Sequence, residues 1–503
     1  FQILTGGSKA QLILPQSVID KAKTALPIAI RTEDTITKAY KDDGTEFSFV
    51  DSSGNVNVNF NDTAKYGIRV KNGTGNATLS LASIQSINDS LKLSITGTKW
   101  TTNTFERKGL LEDFLTYDTT GTKTFKFNAA SDVYNVITSA PSTVSQTTKI
   151  EGVYNSTNNS YSQIDFKNYY SSINISKNGN LIFRNILLKN FGYKSYGDAM
   201  FYIAAGGSLT LDNVYLYARN LNNYGTIEKL TGTVRMAYGT ISNYAGGVIK
   251  QISADFLQQY SQGRFLYNRG VIGDTSGNGL VNTIFKDGLY NGWVSSGTVM
   301  YNENGGVVHN LNNVSFIYNR AILYAYDIHG ALYNNGTINN FSENLFYNNQ
   351  LTQNNANGFL RTVYGAVVSN NGSGKFVNGI LNTDFVANYL NTFNIYGGVF
   401  RNAGTIKEFS KTVFTGNYTL FQPSVDHYAQ GEAIYNNGTI TNGINNSIFA
   451  NNYIKSEASQ YENAQLNIQG GAIYNIGTLP TISNTHFYNN YLNSIEGSAF
   501  GGA

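Results

Sequence analysis

Cysteine is missing altogether from this chain of 503 residues, so neither disulfides nor thiolate metal sites contribute, and an exported protein of this kind must rely on hydrogen-bond ladders. Charge is scarce as well. Asp, Glu, Lys and Arg make up 13% of the residues, against roughly 25% in ordinary globular proteins. The 35 Lys and Arg nearly balance the 32 Asp and Glu, and no basic run of the kind that grips nucleic acid is present, which argues against nucleic-acid partners. No segment approaches the roughly 18 consecutive apolar residues that a membrane helix needs. No signal-peptide pattern stands behind Phe1, so the chain reads as a mature or excised piece. What is plentiful is glycine, at 51 residues, together with a visible excess of Asn and Tyr. Such a chain packs by stacking and hydrogen bonding.

The excess residues are not scattered. An Asn-x-Gly phrase recurs at Asn334-Asn335-Gly336, Asn370-Asn371-Gly372, Asn402-Ala403-Gly404, Asn436-Asn437-Gly438 and Asn475-Ile476-Gly477, with earlier echoes at Asn223-Tyr224-Gly225 and Asn268-Arg269-Gly270. Successive glycines from Gly336 to Gly477 are 36, 32, 34 and 39 residues apart. A second phrase, Phe-x-x-Asn, keeps step with it at Phe316, Phe346, Phe385, Phe414, Phe449 and Phe487. The motif cores are constant while the stretch from each Phe-x-x-Asn to the next Gly varies, which confines length variation to one side of a coil. Upstream, Gly179 to Ile186 and Gly207 to Val214 carry the same apolar-polar alternation 28 residues apart.

Strands this short cannot bury a face alone. Each has to lie on its counterpart in the next coil, about 4.8 Å away. The expected fold is therefore all-β, a right-handed parallel β-helix over 151–503 that continues beyond Ala503, because Phe500-Gly501-Gly502-Ala503 stops where another repeat begins. Glycine at the corner suggests a positive φ at Gly336, Gly404 and Gly438. The preceding Asn can form an amide ladder, and Phe346, Phe385, Phe414, Phe449 and Phe487 are expected to stack inside.

The N-terminal part reads differently. Residues 1–65 form a cap or flanking segment, with a short amphipathic helix between Pro15 and Pro27 that Ser17 caps. Residues 66–150 carry strand signals such as Ala77 to Leu81 and Leu91 to Ile95, as irregular early coils or a small β region.

The pairing of Gly470-Gly471-Ala472-Ile473 with Phe487 to Asn490 resembles the repeat signature of the chlamydial polymorphic membrane proteins. The wording Asn437-Gly438-Thr439-Ile440 is similar to repeats of other Gram-negative autotransporter adhesins. The resemblance is good over 300–503 and weak over 150–300, and the starts at Gly365, Gly397 and Gly431-Glu432 depart from it. It implies a passenger, secreted or displayed on a Gram-negative cell surface, that attaches to a protein or glycan of host cells or other bacteria. It also implies that any membrane contact runs through a C-terminal anchor outside this chain, and it is compatible with self-association.

Many β-helices cleave polysaccharides, a reaction that needs two carboxyl groups about 5 to 9.5 Å apart. Asp165, Asp212, Asp255 and Asp384 fall at unlike repeat positions and form no such set. Asn382-Thr383-Asp384 resembles one phrase of polygalacturonase-like enzymes but lacks the accompanying Asp-Asp and Gly-His-Gly phrases. His309, His329, His427 and His486 lack metal-ligand spacing, and the calcium-binding nonapeptide is absent. No catalytic residue, cofactor or metal ligand is assigned, and the chain is not expected to be an enzyme. A carbohydrate-active enzyme or a secreted toxin passenger remain the alternatives.

Tyr389, Tyr418, Tyr453 and Tyr491 recur too regularly to be a binding signal and read as a stacking row. Binding is expected instead in the variable connections Gln350 to Tyr364, Phe421 to Gly431 and Lys455 to Gln469, with Tyr364, Tyr428 and Tyr461 as candidate contact residues.

Overall fold

The computed structural model describes residues 122–501 apart from short internal stretches, the longest of them 354–366 and 457–465. Ahead of residue 122 it describes only short backbone strands, such as Thr78–Ser80 and Leu93–Thr96, which pair antiparallel. The helix expected between Pro15 and Pro27 lies outside the described residues. The chain divides into two compact units, Phe1–Ala218 and Arg219–Ala503.

In the first unit the two phrases 28 residues apart lie on each other in parallel register, Asn180 opposite Ser208 and Ile186 opposite Val214. Thr147–Glu151 pairs parallel with the same strand from below. Alternation sets the interior: Ile150, Leu181, Phe183, Ile186, Leu188, Leu209, Leu211 and Val214 are buried, while the residues between them face out. Within residues 122–218 the hairpin of Tyr154–Asn155 against Ser160–Tyr161 departs from parallel pairing.

The second unit is a parallel β-solenoid, and one coil serves for all. Phe400–Asn402 lies under Ile434–Asn436, Thr405–Ile406 under Thr439–Ile440, Phe409–Ser410 under Ile444–Asn445, Val413–Thr415 under Ile448–Ala450, and Tyr418–Phe421 under Tyr453–Ser456, every pair parallel. Phe400, Ile406, Phe409 and Phe414 point inward and are fully buried.

Three internal rows tie the coils. Phenylalanine rings stack from Phe256 through Phe285, Phe316, Phe346, Phe385, Phe414 and Phe449 to Phe487, with centroids 4.5 to 5.0 Å apart. This includes the five rings expected to stack and extends the row upstream. The corner asparagines form a continuous amide ladder, Asn223 to Asn243, Asn268, Asn302, Asn334, Asn370, Asn402, Asn436 and Asn475, each Nδ2 donating to the next Oδ1 at 2.6 to 2.9 Å. Turning over the Asn334 amide alone would set its nitrogen against that of Asn302, so the whole row keeps one sense. The Asn of Phe-x-x-Asn forms the other ladder, Asn319 through Asn349, Asn388, Asn417 and Asn452 to Asn490. Here the second amide hydrogen goes to the backbone oxygen of a Phe in the preceding coil, as from Asn417 to Phe385, so a fully buried amide leaves no polar atom unpaired.

The expected positive φ at Gly336, Gly404 and Gly438 is not found: none of the three is left-handed. Glycine is required there for another reason. A β-carbon on Gly336 would collide with the Gly306 and Glu303 carbonyl oxygens and come within 2.8 Å of Asn302 Nδ2, and Gly404 and Gly438 face the same crowding from the coil below. The left-handed bends lie on both sides of the Phe strand instead. Three residues before each Phe stand Asn313, Glu343, Asn382, Lys411, Asn446 and Asn484, with φ from 46° to 58°. Two residues after it stand Tyr318, Asn348, Ala387, Gly416, Asn451 and Asn489, with φ from 49° to 64°. Asn dominates both sets because its short amide tolerates this region better than other side chains.

Candidate functional surfaces

The variable connections leave the strands Gln350–Gln353, Tyr418–Phe421 and Tyr453–Ser456, which belong to one parallel sheet with Tyr389–Thr392 and Tyr491–Asn493, so they lie on one side of the solenoid. They are not loop throughout. Ile395–Tyr396, His427–Gln430, Leu466–Gln469 and Ser498–Phe500 form a fourth parallel sheet, in which Gln430 Nε2 donates to Gln469 Oε1 at 2.8 Å. Tyr428 belongs to this sheet, opposite Asn467. Tyr364 and Tyr461 fall outside the described residues.

The Tyr row stacks as its regularity suggests, with centroids 4.6, 5.2 and 4.9 Å apart from Tyr389 to Tyr491. Each interior ring is covered on both faces by its neighbours. What it offers outward is an edge, and the Tyr453 hydroxyl is pushed above its ordinary pKa mainly by burial, with the adjacent phenols adding to it.

A second aromatic strip was missed in the sequence, although its signal is there: Tyr directly before the corner Asn, at Tyr267, Tyr301, Tyr333, Tyr435 and Tyr474. The Tyr301 and Tyr333 rings stack at 4.4 Å. The Arg264 guanidinium lies 4.9 Å from the Tyr267 centroid and 4.0 Å from that of Tyr301. The Tyr267 hydroxyl donates to the Glu303 carboxylate. Burial, then the Glu303 hydrogen bond and charge, push that phenol up to about 12. The Tyr267 end of the strip is therefore held by polar contacts and keeps its phenol protonated.

The residues weighed for chemistry are not brought together. Thr383 is buried with its hydroxyl donating to the Leu381 oxygen at 2.9 Å, and Asn382 supplies a left-handed bend, so the Asn-Thr-Asp phrase builds the turn before Phe385. Asp384 sits on the outer face of its strand, its carboxyl raised by partial desolvation. Asp212 pairs with Arg184 at 3.1 Å and Asp165 with Lys167 and Lys189 at 3.7 Å. His309 Nδ1 is 3.0 Å from Asn339 Nδ2, His486 is exposed opposite Ile448, His427 stands opposite Leu466, and His329 is outside the described residues. Among the described residues no group of three or more His, Asp or Glu could hold a metal ion. No helix among them is long and apolar enough to cross a membrane.

Comparison with known proteins places the chain in no group: no family model, no curated protein and no solved structure matches it.

Proposed function

We propose that this chain is a surface-displayed or secreted adhesive scaffold: a right-handed parallel β-helix with an N-terminal cap that presents its variable connections to a protein or glycan on host cells or other bacteria. One observation carries the reading. The Phe row and the two Asn rows keep their residue type from coil to coil, whereas the segment between each Phe-x-x-Asn amide and the next corner Asn varies most in length, from Asn388–Asn402 to Asn452–Asn475, on the side where the fourth sheet lies. Rigid scaffold with variable connections on one side is the arrangement that diversifies binding without disturbing folding. The resemblance of the Gly-Gly-Ala-Ile and Phe-x-x-Asn phrases to Gram-negative autotransporter passengers favours attachment over turnover. Tyr364, Tyr428 and Tyr461 are the proposed contact residues.

The test is to replace 354–364, 422–426 and 457–465 by minimal turns and to substitute Tyr428→Ser, leaving the flanking strands otherwise intact. Loop shortening changes closure entropy by only about 1 kcal/mol, so the circular-dichroism spectrum should be retained while attachment to cells falls. Undiminished attachment after all three replacements and the Tyr428→Ser substitution rejects the proposed site. Release of reducing sugar from a surface polysaccharide by the intact chain rejects the adhesive reading in favour of a carbohydrate-active enzyme.

A further inference from the structure

The coil start is Gly-Gly-Ala-Ile at Gly470 and Gly397-Gly398-Val399-Phe400 two coils earlier, but Gly431-Glu432-Ala433-Ile434 lies between them. Pairing of Phe400 with Ile434 and of Ile434 with Ile473 puts Glu432 in register with Gly398 below and Gly471 above. Its backbone is held from both sides, Val399 N donating to its oxygen and its own N to the Gly470 oxygen. The side chain is wholly buried, and neither carboxyl oxygen has a hydrogen-bond partner. It fills the space that the missing side chain of Gly398 leaves: a β-carbon there would lie 2.7 Å from Glu432 Oε2.

We propose that Glu432 is a protonation-controlled latch of the solenoid: the coils at Gly398, Glu432 and Gly471 stay closed while its carboxyl carries a proton, and part locally when alkali removes it.

Among the described residues the surroundings supply no counter-charge. Thr419, on the strand Tyr418–Phe421, is buried beside it and lowers its pKa slightly, but its hydroxyl does not reach hydrogen-bond geometry. On the next strand Tyr453 is the phenol whose ionisation Glu432 disfavours, and Lys455 is exposed. Arg401, Tyr435 and Tyr474 are the other titratable residues of the adjoining corner strands, and none contributes to the shift of the carboxyl. Burial dominates and pushes Glu432 up to about 8 from an ordinary value of 4.5. The folded state therefore holds its proton where the unfolded chain has released it. The associated stability is fully present below about pH 4.5, declines as pH rises, and is lost once pH passes about 8. An ionised, unpaired carboxylate in this position is too costly to keep. The short strands nearest to it, His427–Gln430 and Leu466–Gln469, are the ones to separate first.

Amide hydrogen exchange of the whole chain from pH 6 to 10, corrected for intrinsic base catalysis, tests this on wild type, Glu432→Gln and Glu432→Gly. Wild type should lose at least tenfold protection over 397–402, 427–436 and 466–475 as pH passes about 8, while 307–317 keeps its protection. Both variants should change less than twofold. The glycine variant restores the neighbouring coils' residue and guards against a buried amide that simply misfolds. An identical pH profile in wild type and the glycine variant overturns the proposal, as does a Glu432 carboxyl that titrates near 4.5 by carbon-13 resonance.

Discussion

Two kinds of backbone demand act on single residues, and they respond to mutation in opposite directions. Gly404 lacks a β-carbon because the coil below crowds it, so Gly404→Ala should already destabilise by about 2 kcal/mol or more, through steric contact and without any change of handedness. Ala387 does the reverse, holding a left-handed φ of 53° with a β-carbon. Ala387→Gly should raise stability by about 1 kcal/mol, because L-residues incur roughly 1 to 2 kcal/mol in that region. Denaturant midpoints of the two variants check both, and equal responses would show that one cause governs both positions. Asn417 carries a different obligation. Asn417→Ala strips acceptors from the Asn388 backbone and amide nitrogens and a donor from the Phe385 oxygen, all buried. A loss of at least about 2 kcal/mol is expected from unpaired polar groups. The corner Asn and the Phe-x-x-Asn amide were legible in the sequence because they recur at fixed short offsets. The left-handed Asn382 and Asn446 were not, since nothing in their immediate neighbours separates them from the many other asparagines. Glu432 showed itself only as a departure from its repeat.

Among elements, the Phe strand is the best-determined, with a ring inside and a left-handed residue at each end. Phe385 is covered by Phe346 and Phe414, so Phe385→Ala should cost about 3 to 5 kcal/mol, in the range of buried aromatic truncations. Phe487 stacks on Phe449 alone within the described rings and is only partly buried, and Phe487→Ala should cost clearly less. Urea unfolding followed by tyrosine fluorescence orders the pair, and an equal loss would contradict a ring row that stabilises through two-sided contact. The fourth sheet is the element that the sequence concealed. Ile395–Tyr396, His427–Gln430, Leu466–Gln469 and Ser498–Phe500 each end directly before a coil-start glycine, Gly397, Gly431, Gly470 or Gly501, but they are very short and lie at unequal distances from the Phe-x-x-Asn phrase before them. Their pairing follows from the coils already stacked beside them, a tertiary cause that local pattern does not record.

Taken whole, the second unit behaves as a one-dimensional stack, in which each coil meets only its neighbours. Gly404 and Gly438 occupy equivalent places 34 residues apart, so excising 405–438 joins Gly404 directly to Thr439, which already lies above Thr405. The shortened chain should fold with the same circular-dichroism signature and a lower melting temperature. Failure to fold would mean that the coils are not interchangeable. The two amide ladders add a property that belongs to no single coil. Each Nδ2 donates toward the C-terminal neighbour, thirteen bonds in one sense. Aligned amide dipoles polarise one another and add head to tail, much as peptide dipoles do along a helix. The stack thus has an electrical head and tail: a partial positive pole where Asn475 and Asn490 end the rows and a partial negative pole at Asn223 and Asn319. An acidic side chain gains at the first end and a basic one at the second, so coils identical in chemistry are not identical in the field they sit in.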